Sequence, residues 1–380
     1  MKAFVYFFLF LFLALVFNTH AFAQSQPPIL KQVYVKAHVL KIDSESLKMV
    51  DNVKNIYQKI EVEILEGFDK GKTVTIESGK DTTLSPSQVV KVNQEIILTK
   101  IKLPNQKLGY QVYDAYRINE MVYIFIAFLV IVIALAGWKG LGSVAGLAIS
   151  LAIIFMYVVP QILAGADPLF VSIYGSLAIL LLTTYLAHGV SKQTTVALIA
   201  TFLSLMLTAI LSSFFVKLTH LSGYTEETAS LQFGATSKIN IQGLLLGGII
   251  IGTLGALNDI TTTQAAAVFE LAKTDRALKF GQLFKKSFSI GREHVVSMVN
   301  TLVLAYAGSA LSLFLFIILN PLKLPLWVMI NSEDISDEVV RTISGSIGLV
   351  LVVPVVTLMA VIVCNKEFKR ASKEIFHSLK

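Results

Sequence analysis

Between residues 121 and 364 the sequence is a succession of apolar runs long enough to cross a bilayer. That closes most of the folds open to a chain of 380 residues. A helix needs about 20 apolar residues to traverse roughly 30 Å of hydrocarbon, where every backbone polar group must be satisfied inside the protein. Such runs occupy 121–137, 141–160, 168–188, 194–216, 241–257, 294–319 and 342–364. The expected architecture is therefore an α-helical membrane bundle of about seven spans, followed by a basic cytoplasmic tail over 365–380. Composition agrees: 54% hydrophobic and 15% charged residues, with a mean hydropathy of +0.70, lie outside the range of soluble domains.

The net charge of +7 would suit a nucleic-acid partner if it were gathered in one patch. It is spread over the segments beside the spans instead, as the positive-inside bias requires. Lys139, Lys192, the stretch with Lys273, Arg276, Lys279, Lys285, Lys286 and Arg292, and the tail from Lys366 fall on one side by span counting. Lys217, Lys238, Lys323 and Arg341 fall on the other. The spacing predicts an N-terminal domain outside, a C-terminus in the cytoplasm, lipid as the surrounding partner and no nucleic acid.

Ahead of the spans, Lys2, the apolar run 4–17 and Ala21-Phe22-Ala23 have the layout of a secretory signal, with an uncleaved anchor as the alternative. Residues 24–120 alternate with period two in five or six short segments separated by glycine and aspartate turns. That pattern predicts a small all-β extracytoplasmic domain, an OB-like barrel or a sandwich. Glu61, Glu63 and Glu66 read either as a cation site or as the solvated face of a strand. The lone Cys364 cannot form an internal disulfide, a Cys–His cluster of metal-ligand spacing is absent, and no metal or cofactor is expected.

The stretch that carries most chemistry is 241–271, where a glycine-studded run leads into Asp259 and Glu270. Gly243, Gly247, Gly248, Gly252 and Gly255 include small-xxx-small pairs that let helix backbones approach closely, and Gly308, Gly345 and Gly348 extend that pattern to later spans. Asn258 or Asp259 followed by Thr261, Thr262, Thr263 and Gln264 resembles a helix start, so a broken span is expected at Asn258. Broken helices line ion and substrate sites. Asn258, Asp259, Thr262, Thr263 and Glu270, with Asn300 and Tyr306 from the sixth span, are accordingly the candidate ion or substrate pathway. The competing reading makes Asp259 the cap of a surface helix and Glu270 a solvated acid. Glu293, Ser297, Asn300, Leu304 and Gly308 form a second polar line, and Arg292 is either a topology anchor or a charge partner for Asp259 or Glu270. With one span-associated aspartate, no HExxH and no Walker loop, an enzyme is not expected.

Taken together, the residues from Gly248 to Asp259, Glu270-Leu271, Ser289 to Arg292, Asn300-Thr301-Leu302 and Ala305 to Gly308 resemble the YibE/F-like family of bacterial multi-span membrane proteins. Asp114 to Arg117 and Gly223 to Glu227 extend the likeness over nearly the whole chain. The resemblance implies a bacterial cytoplasmic membrane, and a homo- or hetero-oligomer with a related multi-span protein. It implies no activity. Two readings of function stand: a transporter or membrane subunit of a transport complex, and a non-transporting scaffold that docks a partner at the cell surface. The substrate is not legible.

Overall fold

The computed structural model describes residues 33–50, 53–79, 84–85, 88–102, 108–225, 228–229, 239–320 and 322–378, with side chains at most of these positions. The expected signal segment 1–23 lies outside the described residues, as do Glu226, Glu227 and Lys238. Contacts divide the chain into two compact units, residues 24–135 and a second containing 136–380.

The first unit is a curled antiparallel half-barrel of β1 (Tyr34–Val50), β2 (Val53–Ile64), β3 (Thr73–Ser78), β4 (Glu95–Lys102) and β5 (Leu108–Ala115). The strands run in the order β3-β2-β1-β4-β5. The edge strands β3 and β5 approach one another, as in a partly open OB-type barrel. Strict alternation explains the register: Val35, Ala37 and Val39 of β1, Ile60, Val62 and Ile64 of β2, and Ile96 and Leu98 of β4 all face a single core. Glu61, on the other face, pairs with Lys41 at 2.7 Å, which favours the solvated-face reading. A helix, α1 (Ile118–Gly137), follows the sheet.

The second unit is a membrane helical bundle. Its elements are α2 (Gly140–Leu163), with a π-helical turn at Ile154–Val158, α3 (Pro168–His188), α4 (Lys192–Leu218), α5 (Ile241–Thr274), α6 (Phe280–Ser309), α7 (Leu311–Leu319), α8 (Leu326–Ile330) and α9 (Glu333–Ser378). Gly137, at φ 56°, separates α1 from α2 in a conformation closed to most side chains. Six of these helices are each long and apolar enough to cross a membrane, and α6 with α7 forms a seventh path bent by 60°.

Local chemistry sets the helix starts. Asp167 accepts from the Leu169 and Phe170 N–H groups ahead of Pro168, Ser191 accepts from Thr194 N–H, and Asn240 accepts from Gly243 N–H. The core gathers Ile250, Leu254, Leu257 and Ile260 of α5 with Ile179 and Leu180 of α3, Leu205 of α4 and Leu349, Val352 and Val353 of α9. α5 therefore stands at the centre of the bundle.

Candidate functional site

α5 packs against α3, α4, α6 and α9, and small residues permit it. A methyl at Gly243 would stand 2.9 Å from Pro168 Cδ, and one at Gly247 would stand 2.5 Å from Ser172 Oγ, so these two glycines seat α5 on α3. On α9 the glycines serve the same end: Gly345 lies against Thr253 of α5, and Gly348 against Thr208 of α4. Polar ties cross the same seams. The Thr184 hydroxyl donates to Asn258 Oδ1 (3.0 Å), Thr201 and Thr261 share a hydrogen bond of 2.6 Å, and Gln264 Nε2 donates to Thr357 Oγ1 (2.8 Å) and the Ser287 carbonyl (2.9 Å).

The expected break at Asn258 is corrected: α5 runs unbroken from Ile241 to Thr274. The Asn258 carbonyl accepts from the Thr261 and Thr262 hydroxyls at 3.0 and 2.9 Å. Threonines that bond back one turn satisfy their own hydroxyls without opening the backbone ladder. A broken helix does exist, between α6 and α7, where the axis turns by 60° around Ala310.

The remaining face of α5 is open. Leu244, Gly248, Ile251, Gly252, Gly255, Asp259, Thr262, Thr263 and Ala266 recur at intervals of three and four and so share one side of the helix. A methyl at Gly248 or Gly255 would meet nothing within 4 Å. This face floors two cavities.

The first has a volume of about 940 Å³. It is bounded by α5 at Gly247 and Gly248, the π-helical turn of α2, Ser172 of α3, Ser309 and Ser312 at the bend, and the start of α9. α9 brings Asp334, Asp337, Glu338 and Arg341 to its wall. Asp337 is 4% exposed, and its Oδ1 has no hydrogen-bond partner. Arg341 Nη1 lies 3.5 Å from Glu338 Oε2. The first residue of α9, Glu333, accepts from the Ser222 hydroxyl (2.7 Å) and the Tyr224 N–H (3.0 Å). Between those two donors Gly223, at φ 78°, brings the chain so close to the Ile241 carbonyl that a methyl would stand 2.9 Å from its oxygen. The loop thus ties the start of α9 to the start of α5.

The second cavity, of about 390 Å³, is lined by His188 of α3, Gln193, Thr194 and Ala197 of α4, and Asn258, Asp259, Thr262, Thr263 and Ala266 of α5. Ser172 in the first cavity and His188 in the second lie 16 residues apart on α3, roughly 24 Å at the helical rise. That is most of the thickness of a hydrocarbon layer. Along α5, Ile251 of the first cavity and Asn258 of the second are separated by roughly 10 Å of helix. Tyr306 of α6 closes over this interval: a methyl at Gly252 would stand 2.9 Å from its hydroxyl, which is buried with no hydrogen-bond partner.

Of the residues expected to form a pathway, Asn258, Asp259, Thr262 and Thr263 come together in the second cavity, and Tyr306 lies over Gly252 of the same helix. Glu270 sits farther along α5, exposed and paired with Lys273 at 2.6 Å. Asn300 is exposed on α6 with Glu293 and Ser297, away from both cavities. Arg292 is exposed with Glu293 4.0 Å away, and Glu270 is taken by Lys273, so of the two readings the topology anchor is favoured over a charge partner for Asp259 or Glu270. Gly308, with Gly248 and Gly255, has open space where a packing glycine would have a neighbour.

The acids of α9 escaped the sequence reading because 333–341 precedes the apolar run and reads as a solvated loop. Their spacing at 334, 337, 338 and 341 was the available signal for a helix face. Among the described residues no group of three His, Cys, Asp or Glu side chains is arranged to hold a metal ion.

The chain matches the YibE/F-like protein family over residues 124–366, the stretch that holds both cavities. It belongs to the YibE/F-like family. The match begins inside α1 and so covers the helical bundle and not the sheet. No curated protein and no solved structure matches the chain.

Proposed function

We propose that this multi-pass membrane protein is a transporter, or the membrane subunit of a transport complex, that moves a small polar solute along the open face of α5. One observation carries the reading: two cavities, each presenting polar side chains, lie toward opposite ends of a single helix face, with Gly252 and Gly255 on the interval between them and the Tyr306 hydroxyl over Gly252. Irregular backbone in a membrane is tolerated where it lines a cavity, and both the bend at Ala310 and the π-helical turn border the first one. The positive-inside bias puts the first cavity toward the outside of a bacterial cytoplasmic membrane and the second, beside Lys192, toward the cytoplasm. The protein has no enzymatic role in this reading.

A scaffold or oligomer reading has its own support in the exposed polar line Glu293, Ser297 and Asn300 on α6, since polar side chains between spans hydrogen-bond to neighbouring helices. The two combine if α6 docks a related multi-span subunit.

The test is flux in proteoliposomes of the purified protein, measured for labelled cations, amino acids and organic anions in turn. At least one class should cross faster than in protein-free vesicles. Gly255→Leu, which fills the floor where space is open, should cut that flux by about tenfold while leaving the elution profile unchanged. No protein-dependent flux of any class, or a flux indifferent to Gly255→Leu, would end the proposal.

A further inference from the structure

The charges in the first cavity do not balance. Three carboxylates, Asp334, Asp337 and Glu338, face one guanidinium, Arg341, and that guanidinium reaches toward Glu338 at 3.5 Å. Asp337 is left with neither an ion pair nor a hydrogen bond at Oδ1, although it is 4% exposed and part of the cavity wall. Glu338 Oε1 is likewise buried and unpartnered. Burying a carboxylate without a partner is costly, and the cost is removed when a positive group enters and donates to it.

We propose that Asp337 binds a monovalent organic cation, an alkylammonium, in this cavity. The inference rests on reading the cavity as one end of a transport path and names the class of solute the path accepts. An ammonium carries three N–H donors, one for the unpartnered Asp337 oxygen and the others for further acceptors on the cavity wall, which also includes Glu338 and Ser312. The rest of the wall takes an alkyl body: Ile154 and Val158 from the π-helical turn, Leu244 and Leu245 from α5, and Leu313 past the bend. A bare divalent metal fits poorly. The cavity, at about 940 Å³, far exceeds such an ion, and no three ligands converge among the described residues.

Isothermal titration of the full-length protein in detergent with n-butylammonium chloride tests this, with calcium chloride and sodium butyrate as contrasting probes. Saturable binding of butylammonium alone is expected. Asp337→Asn should weaken it by about tenfold or more, the scale of a lost charge-assisted hydrogen bond, and Asp337→Glu should recover part of the loss. Gly248→Leu, which projects into open cavity space from α5, should also weaken binding, and decides the matter should Asp337→Asn fail to fold. Binding that is absent, indifferent to Asp337→Asn or Gly248→Leu, or equal for butyrate or calcium would overturn the inference. Flux separates the two readings. A transported solute with no butylammonium site overturns the cation class and leaves transport standing. Butylammonium bound at Asp337 but never carried across supports the site and counts against transport.

Discussion

A glycine in a membrane helix has two opposite uses, and here both occur on the same element. Gly243 and Gly247 are small because α3 needs the space, whereas Gly248 and Gly255 border open space. The sequence treats the four alike, since spacing alone cannot tell a seam from a cavity floor. Substitution separates them. Gly348→Ala places a methyl against Thr208 and should lower the midpoint of thermal unfolding in detergent, by the equivalent of about 1–3 kcal/mol of overpacking. Gly255→Ala should leave the midpoint unchanged or raise it, because alanine is the better helix former by about 1 kcal/mol. Equal losses at both positions would mean that the face of α5 is packed after all.

Asp69 offers a second residue-scale prediction in the sheet unit. Lys72 (2.7 Å), Tyr110 (2.6 Å) and Lys100 (3.0 Å) all donate to its carboxylate and hold it well below the usual carboxylate range, Lys72 most of all. In the unfolded chain the group takes up a proton near 3.8 while the folded carboxylate still resists. Its stabilisation is thus complete above that pH and is lost as pH falls through the folded value. Protection of the sheet amides against hydrogen exchange, taken relative to the intrinsic rate at each pH, should fall between about pH 5 and about pH 2 in the native protein. The same acid-dependent change should be smaller in Asp69→Asn.

At the scale of the element, the spans were legible because each is a run of apolar residues whose length the bilayer sets. The ends of α3, at Pro168 and His188, fall where the apolar run ends. Polar residues within or beside a span were harder. Asn258, Thr261, Thr262 and Gln264 carry the signature of a helix start, yet they lie in the middle of α5: other helices supply Thr184, Thr201 and Thr357 as partners for Asn258, Thr261 and Gln264, and Thr262 bonds back to the Asn258 carbonyl. Tertiary hydrogen bonds override a local capping pattern once the residue is buried. The same ambiguity hid the acids of α9, which a sequence places in water and the fold places beside a cavity. A double-mutant cycle on Gln264→Leu and Thr357→Val measures the override directly. Each single change should destabilise the protein, and the coupling energy should be about 0.6–1.7 kcal/mol, as for interhelical hydrogen bonds in lipid. A coupling near zero would mean that Gln264 is held by the Ser287 carbonyl alone.

For the whole molecule the decisive question is whether the two cavities open on opposite sides of the bilayer. The single cysteine, Cys364, is buried, so a Cys364→Ala background permits one reporter thiol at a time. A cysteine replacing Gly248 stands in the first cavity, one replacing Thr262 in the second, and one replacing Ile249 on the fully buried side of α5. With a membrane-impermeant thiol reagent applied to cells or to inverted vesicles, Gly248→Cys should react from the outside and Thr262→Cys from the cytoplasm, with Ile249→Cys silent from both. Tyr306 decides where access stops, because its hydroxyl fills the space over Gly252 between the two sites. Tyr306→Ala should therefore let reagent from the cytoplasmic side reach Gly248→Cys, which native Tyr306 prevents. Reaction of Gly248→Cys and Thr262→Cys from one and the same side would leave no route across the bundle, whatever either cavity binds.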